Sequence, residues 1–500
     1  MALIAVMGLT SSLTLISCSD DNTVTTTDTR HWTTDGGLKA ADNLLFNDNQ
    51  IGNGDKEFVF TGKQTLKKGT YLLKGWVYVA DGAELTIEPG TIIKGDKQTM
   101  ATIIVERGGK LIAQGTKDAP IVFTSNAPKG QRRPGDWGGL ILCGKAPHNA
   151  GQAQIEGGPR TKHGGNDVHD NSGVLSYVRV EFAGYPFATD QEINGVTFGS
   201  VGDGTKVDHV QVSYSNDDSY EWFGGTVNCK HLIAFNGWDD DFDTDNGFSG
   251  HVQYGLSVRD PRIADKSQSN GFESDNDASG STATPTTSAV FSNMTFIGPK
   301  QIDSDFANTA DYITGGSLNP NNGSGLGKYQ SAMQIRRGSR LNCINSVALG
   351  WPIGLIIDSE KGDTREQAKA GNIRLQNVWF GNMGVTGSDA NKEYRDVLVN
   401  FVNKKPVADE TQQSYSTTFF LAQNGNRVAT LSEMLLTGKS LFAGLRADFL
   451  PAAGSPLLNA ASFDGVASNW FDKVSYIGAF STTADWLQGW TNFDPENTEY

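Results

Sequence analysis

Between Lys206 and Asn276 the sequence repeats itself with a period of about 22 residues, a spacing that few folds can accommodate. His209 aligns with His231, Val210 with Leu232, Asp217 and Asp218 with Asp239 and Asp240, Tyr220 with Phe242, Glu221 with Asp243, and Gly225 with Gly247. One step further brings in His251, Val252 and Gln253, and Asn246-Gly247-Phe248 returns as Asn270-Gly271-Phe272.

Each copy opens by alternating, as in His209-Val210-Gln211-Val212-Ser213-Tyr214, so Val210, Val212 and Tyr214 share one face of an extended strand. A unit of about 20 to 25 residues with strand periodicity is too short for a helix pair and suits coils stacked about 4.8 Å apart. We therefore expect an all-β chain folded as a right-handed parallel β-helix. The 59 glycines against 16 prolines fit the many corners that need positive φ. A solenoid can also extend one architecture over all 500 residues. The net charge of −15 argues against a nucleic-acid partner, which would need basic surface, and favours cations or simply serves solubility. No feature of the sequence specifies an oligomeric state.

Residues 1–17 are small, apolar and free of Lys and Arg, and end Leu15-Ile16-Ser17-Cys18. This resembles the lipobox of a bacterial lipoprotein signal peptide, with Cys18 as the lipidated first mature residue. Ser19-Asp20-Asp21 resembles the signal that sends Bacteroidetes-type lipoproteins to the outer face of the outer membrane. The expected organisation is a signal peptide over 1–17, a Thr/Asp/Asn-rich tether over 18–55 and a single β-helix domain over 56–500. Segments 145–172, 275–288 and 299–330 are poor in apolar residues and are expected to leave the coils as loops. The spacing of Leu431, Met434, Leu435 and Phe442 allows one helix over Thr430 to Leu445 as a packing or capping element. Cys143, Cys229 and Cys343 are expected to be buried free thiols, with Cys229 and Cys343 in one column about four coils, or roughly 19 Å, apart.

The runs LTIEPGTIIKG, GGKLIAQGTKDAPIVFTS and GDWGGLILCGKAP resemble the opening coils of bacterial surface proteins with the pectin-lyase-like β-helix fold. SYSNDDSYEWFGGTV, WDDDFDTDNGFSG, SNGFESDN and the closing DFLPAAGSPLLNAA and DWLQGWTNFDP resemble a subgroup of Bacteroidetes-type outer-membrane lipoproteins. The resemblance implies the fold and a surface location, and leaves the activity open.

Three sets of residues offer chemistry. Read as extended chain, Asp239, Asp241, Asp243 and Asp245 point one way, and the preceding coil adds Asp217, Asp218 and Glu221. So many carboxylates in adjacent coils repel unless neutralised, and oxygen ligands without His or Cys select Ca²⁺; the alternative is that they cap turns. The column His209, His231, His251, extended by Tyr177, would face outward as a metal or ligand site or a structural ladder. Trp222, Trp238, Trp351 and Trp379 lie at or near the coils, where they would stack on sugars or close the core. Polysaccharide lyases of this fold use a basic residue with Ca²⁺, and Arg179, Lys206, Arg259, Arg262 and Lys266 lie in or beside the region. Acidic pairs such as Asp217-Asp218 lack the Gly-His-Gly of the β-helix galacturonidases, however. The reading is thus a lipid-anchored surface protein that binds a glycan or cell-surface polymer without catalysis. A β-helix polysaccharide lyase or glycoside hydrolase, and an adhesin or scaffold, are the alternatives.

Overall fold

The computed structural model describes residues 40–188 and 191–500. The chain winds into a parallel β-helix in which every coil contributes strands to three faces. One face is a 12-stranded sheet whose order follows the chain, from Ala40–Ala41 to Val385–Ser388. The other two faces merge into one bent network: Lys110–Gln114 pairs with the first half of Gly173–Glu181, and Ile121–Ser125 pairs with its second half.

The bend in each long strand has a residue-level cause. Tyr177, His209, His231 and Tyr254, followed by Asn293, Asn345 and Asn377, stack in register with φ between 50° and 64°. Left-handed backbone is tolerated by Asn and His far better than by β-branched residues, so a ladder of these types marks the corner between two faces. At another corner Gly225 and Gly247 succeed each other with φ of 88° and 92°, and a Cβ on Gly225 would stand 2.5 Å from the Val201 carbonyl oxygen.

Inward residues of all three faces fill one continuous core, from Leu44 and Ile51 through Val210, Leu232 and Met294 to Phe420. The helix Tyr415–Ala422 closes the C-terminal end, its Phe420 ring stacked 4.1 Å from Phe380. After the short strand Leu450–Pro451 the chain returns along the outside of the coils as a strap. Ser462 bonds Asn345, Asn492 bonds Gln211, and the Tyr500 carbonyl accepts from Lys94. The strap buries Phe480, Trp490 and Phe493 against Ile233, Phe235, Leu256 and Val258 in a second core.

Several expectations are corrected. The coils begin before residue 56, because Ala40–Ala41 and Gln50–Ile51 pair with Phe58–Phe60 and Thr70–Leu73; such short strands carry too little alternation to read. The part of the signal and tether before residue 40, with Cys18, lies outside the described residues. The helix expected over Thr430 to Leu445 is only Leu431–Met434, held by a Thr430/Glu433 capping box and ended by Leu435 at φ 49°. Segments 145–172, 275–288 and 299–330 do leave the coils, and the three cysteines are free and buried. Cys229 and Cys343 are three steps apart, through Val252 and Phe291, about 14 Å at coil spacing.

Candidate functional site

On the 12-stranded sheet, side chains alternate between core and exterior. In Tyr220–Phe223 the rings of Tyr220 and Trp222 enter the core, which leaves Glu221 on the outer face. Glu221 stands beside Asp243, and Asp243 beside Glu273, so one outer column carries three consecutive carboxylates. Asp217, Asp218 and Asp239 come together at the corner that leads into these strands.

Two trios result. Ligand oxygens of Asp217, Asp218 and Asp239 lie within 4.8 Å of one another, as do those of Asp218, Glu221 and Asp243. Two oxygens on one Ca²⁺, each about 2.3–2.6 Å from the ion, stand no more than about 5 Å apart, so either trio fits the span. Although on an outer face, the group is enclosed: Asp218, Glu221 and Asp243 expose 7, 2 and 2% of their surface. The 145–172 loop covers one side, its Pro147 carbonyl accepting from Gly225 N–H and its Asn149 N–H donating to Asn246. The 299–330 loop covers another, with Asn321 and Ser324 bonded to Asn216 and the Gly325 carbonyl to Trp238.

Internal partners meet only part of this charge. Asp218 accepts from Asp240 N–H at 2.8 Å, Asp239 from the Ser267 hydroxyl, and Glu221 from the Asn194 amide. Oδ1 of Asp243 and Oδ1 of Asp239 are buried without a hydrogen-bond partner. Among the described residues, no Lys or Arg pairs with Asp217, Asp218, Asp239 or Asp243. Burial first, and neighbouring carboxylates second, hold Asp217, Asp218, Glu221, Asp239 and Asp243 well above the usual carboxylate range. Glu156 of the 145–172 loop is pushed up to about 8 by burial and by Glu192 and Asp245. A cation of oxygen preference would reverse this cost, so the residues present fit Ca²⁺.

Of the six expected cation ligands, Asp217, Asp218, Asp239 and Asp243 are brought together. Asp241 is not. The strand begins only at Phe242, so alternation does not reach back to Asp241, which turns inward to Arg259 at 2.7 Å with both side chains fully buried. Asp245 lies two residues beyond Asp243 on the same strand, accepting from Asn246 N–H. Glu273 joins the column although the repeated Asn-Gly-Phe suggested another register. Phe272 pairs with Phe242, not with Phe248, because the excursion over 259–269 lengthens that coil. Arg336 and Arg337 neutralise Glu273 and Asp275 at this end.

The histidine and tryptophan expectations change more. His231 is followed in its column by Tyr254, not His251, because this coil takes 23 residues, whereas setting His251 over His231 assumed 20. The rings of Tyr177, His209, His231 and Tyr254 stack at centroid spacings of 4.3, 4.2 and 4.9 Å. Nδ1 of His209 and of His231 lie 2.9 and 2.8 Å from one Asp208 oxygen. Both imidazoles thus turn to the Asp208 carboxylate beneath the strap, and one ligand atom from each of Asp208, His209 and His231 lies within 4.8 Å of the others, so the pair is placed either as a ladder or around a metal ion. Trp222 and Trp238 have no exposed surface: Trp222 stacks in the core on Phe198 and Phe248, and Trp238 packs on Ile263 and Leu318. Trp351 is likewise buried, and Trp379 nearly so. None of the four presents a face to a sugar.

A family model described as a pectate-lyase-like beta helix domain matches residues 59–432. No curated protein and no solved structure matches the chain.

Proposed function

The chain belongs to the pectate-lyase-like β-helix family, and on that scaffold we propose a calcium-binding surface protein that engages a glycan or cell-surface polymer without catalysis. The observation that carries the cation is the buried trio Asp218, Glu221 and Asp243, in which Asp243 keeps an oxygen without a hydrogen-bond partner. A buried carboxylate without neutralisation is costly, and one Ca²⁺ takes six to eight oxygens, so an ion links the strands of Glu221 and Asp243 to the corner that carries Asp218. The same burial speaks against hydrolysis or elimination: a general acid or base must come within hydrogen-bond reach of its substrate, and these carboxylates lie beneath two loops. Recognition then falls to exposed loop surface. Anchoring at the outer membrane through Cys18 rests on Leu15-Ile16-Ser17-Cys18 and the acidic residues after it. Among the described residues no helix is long and apolar enough to cross a membrane.

The test is thermal unfolding of the purified protein in calcium, magnesium and EDTA, together with a glycan array and an assay for reducing ends and unsaturated products. A ligand at 100 times its Kd stabilises by about 2.7 kcal/mol, so calcium should raise the melting temperature and EDTA should lower it. An unchanged melting temperature would overturn the cation site, and released product would favour the lyase or hydrolase. A Cys18→Ala variant that stays membrane-bound would remove the anchor.

A further inference from the structure

The strap touches the coils where the histidines are. His209 lies 5.6 Å from the Trp490 ring and His231 lies 5.2 Å from Trp486, while His251 stacks on Trp470 at 5.7 Å. Three of the chain's seven histidines thus each lie under a different tryptophan of one returning segment. We propose that this segment is a proton-released latch: protonation of His231 and His251, beneath Trp486 and Trp470, frees the stretch from Trp470 to Trp490 from the coils.

The charges around the imidazoles set the direction. His209 and His231 share a single carboxylate, Asp208. That carboxylate accommodates one imidazolium, but a second would stack 4.2 Å from the first, centroid to centroid, with Lys230 adjoining. Against the two rings the strap sets only indoles. Its nearest carboxylate, Asp472, is engaged with Lys230 at 2.8 Å. Asp485 bonds Thr483, and Asp494 bonds Asn497. His251 faces the neutral Asn228, at 2.6 Å, with Trp470 and Phe471 over it. On the flanks, Tyr177 and Tyr254 are neutral near pH 7, and Arg179 pairs with the buried Glu181.

Burial holds His231 and His251 below the ordinary histidine value. A group depressed in the closed form binds its proton more readily once the strap lifts, so acid favours the open form. The effect is absent well above pH 6.5, the ordinary histidine value, and grows as the pH falls below it. Each pKa unit of depression at one histidine multiplies the opening constant by up to about ten. The Lys230–Asp472 ion pair does not titrate over this range and is part of the cost that opening must overcome. The hydrophobic contacts of Phe493 with Phe235 lie beyond the histidines and do not titrate, so the opening is confined to the middle of the strap.

Hydrogen exchange of the full-length protein at pH 7.5 and 5.0, corrected for intrinsic rates, reads this directly. The expected result is at least about tenfold faster exchange of strap peptides spanning 470–490 at pH 5.0, with the strands Lys206–Ser213 and Asn228–Phe235 still protected. A variant carrying His231→Gln and His251→Gln should lose the pH response. Equal exchange at both pH values, or an unchanged response in the variant, would overturn the latch. Should the variant not fold, NMR titration of the wild-type imidazoles decides: His231 and His251 titrating at the ordinary value would also overturn it.

Discussion

Asp241 and Asp243 stand two residues apart in one acidic run, yet their surroundings give them opposite energetic signs. Asp243 adds a carboxylate to a buried group that already repels, whereas Asp241 neutralises a fully buried Arg259. Asp243→Asn should therefore raise the melting temperature in EDTA and shrink the calcium response. Asp241→Asn leaves a guanidinium uncompensated in the interior, a loss of about 3–5 kcal/mol with or without calcium. Urea unfolding of both variants in calcium and in EDTA separates them, and like behaviour would refute the assignment. Composition made the acidity of this run visible. Which carboxylate meets a cation and which an arginine depended on where the strand begins.

At the scale of the element, the long strands bend because one residue per coil adopts left-handed backbone. Asn345 does this at φ 50°, and its Oδ1 also accepts from Asn377 at 3.1 Å and from Ser462 N–H of the strap at 2.9 Å. Asn345→Gly keeps the backbone and loses only those bonds, about 1 kcal/mol each. Asn345→Val loses the bonds and adds strain of about 1–3 kcal/mol at a position that β-branched residues avoid. Valine should thus be the worse replacement in denaturant unfolding. Equal losses would show that the bonds alone matter. His209 and His231 occupy the same corner column as Asn345, and that left-handed backbone position accounts for a corner residue recurring once per coil.

For the whole molecule, the strap changes what a solenoid would otherwise do. Coils that touch only their neighbours open from the ends, one after another. Here a single segment bonds Asn345 near one end and Lys94 and Arg132 toward the other. Cys143, Cys229 and Cys343 report from three levels of the stack and are all fully buried. Thiol labelling in rising urea should modify the three together, in one transition. Ordered modification, coil by coil, would mean that the strap does not couple the levels.

The repeat of about 22 residues, its strand alternation and its glycine-rich corners were sufficient for the parallel β-helix, because these patterns follow from local geometry that any coil must satisfy. They also singled out Asp217, Asp218, Asp239 and Asp243 as neighbours, since residues one period apart stack. Wherever a coil departs from the period, the register came from the tertiary structure alone. A coil of 23 residues rather than 20 put Tyr254 instead of His251 over His231, and the 259–269 excursion put Glu273 beside Asp243. Burial was equally a matter of the folded chain. Loops remote in sequence enclose the carboxylates, the core takes in Trp222, and a segment more than 200 residues away roofs the histidines. Periodicity records only what neighbouring coils require of each other. Contacts between distant segments obey no period, so only the folded chain displays them.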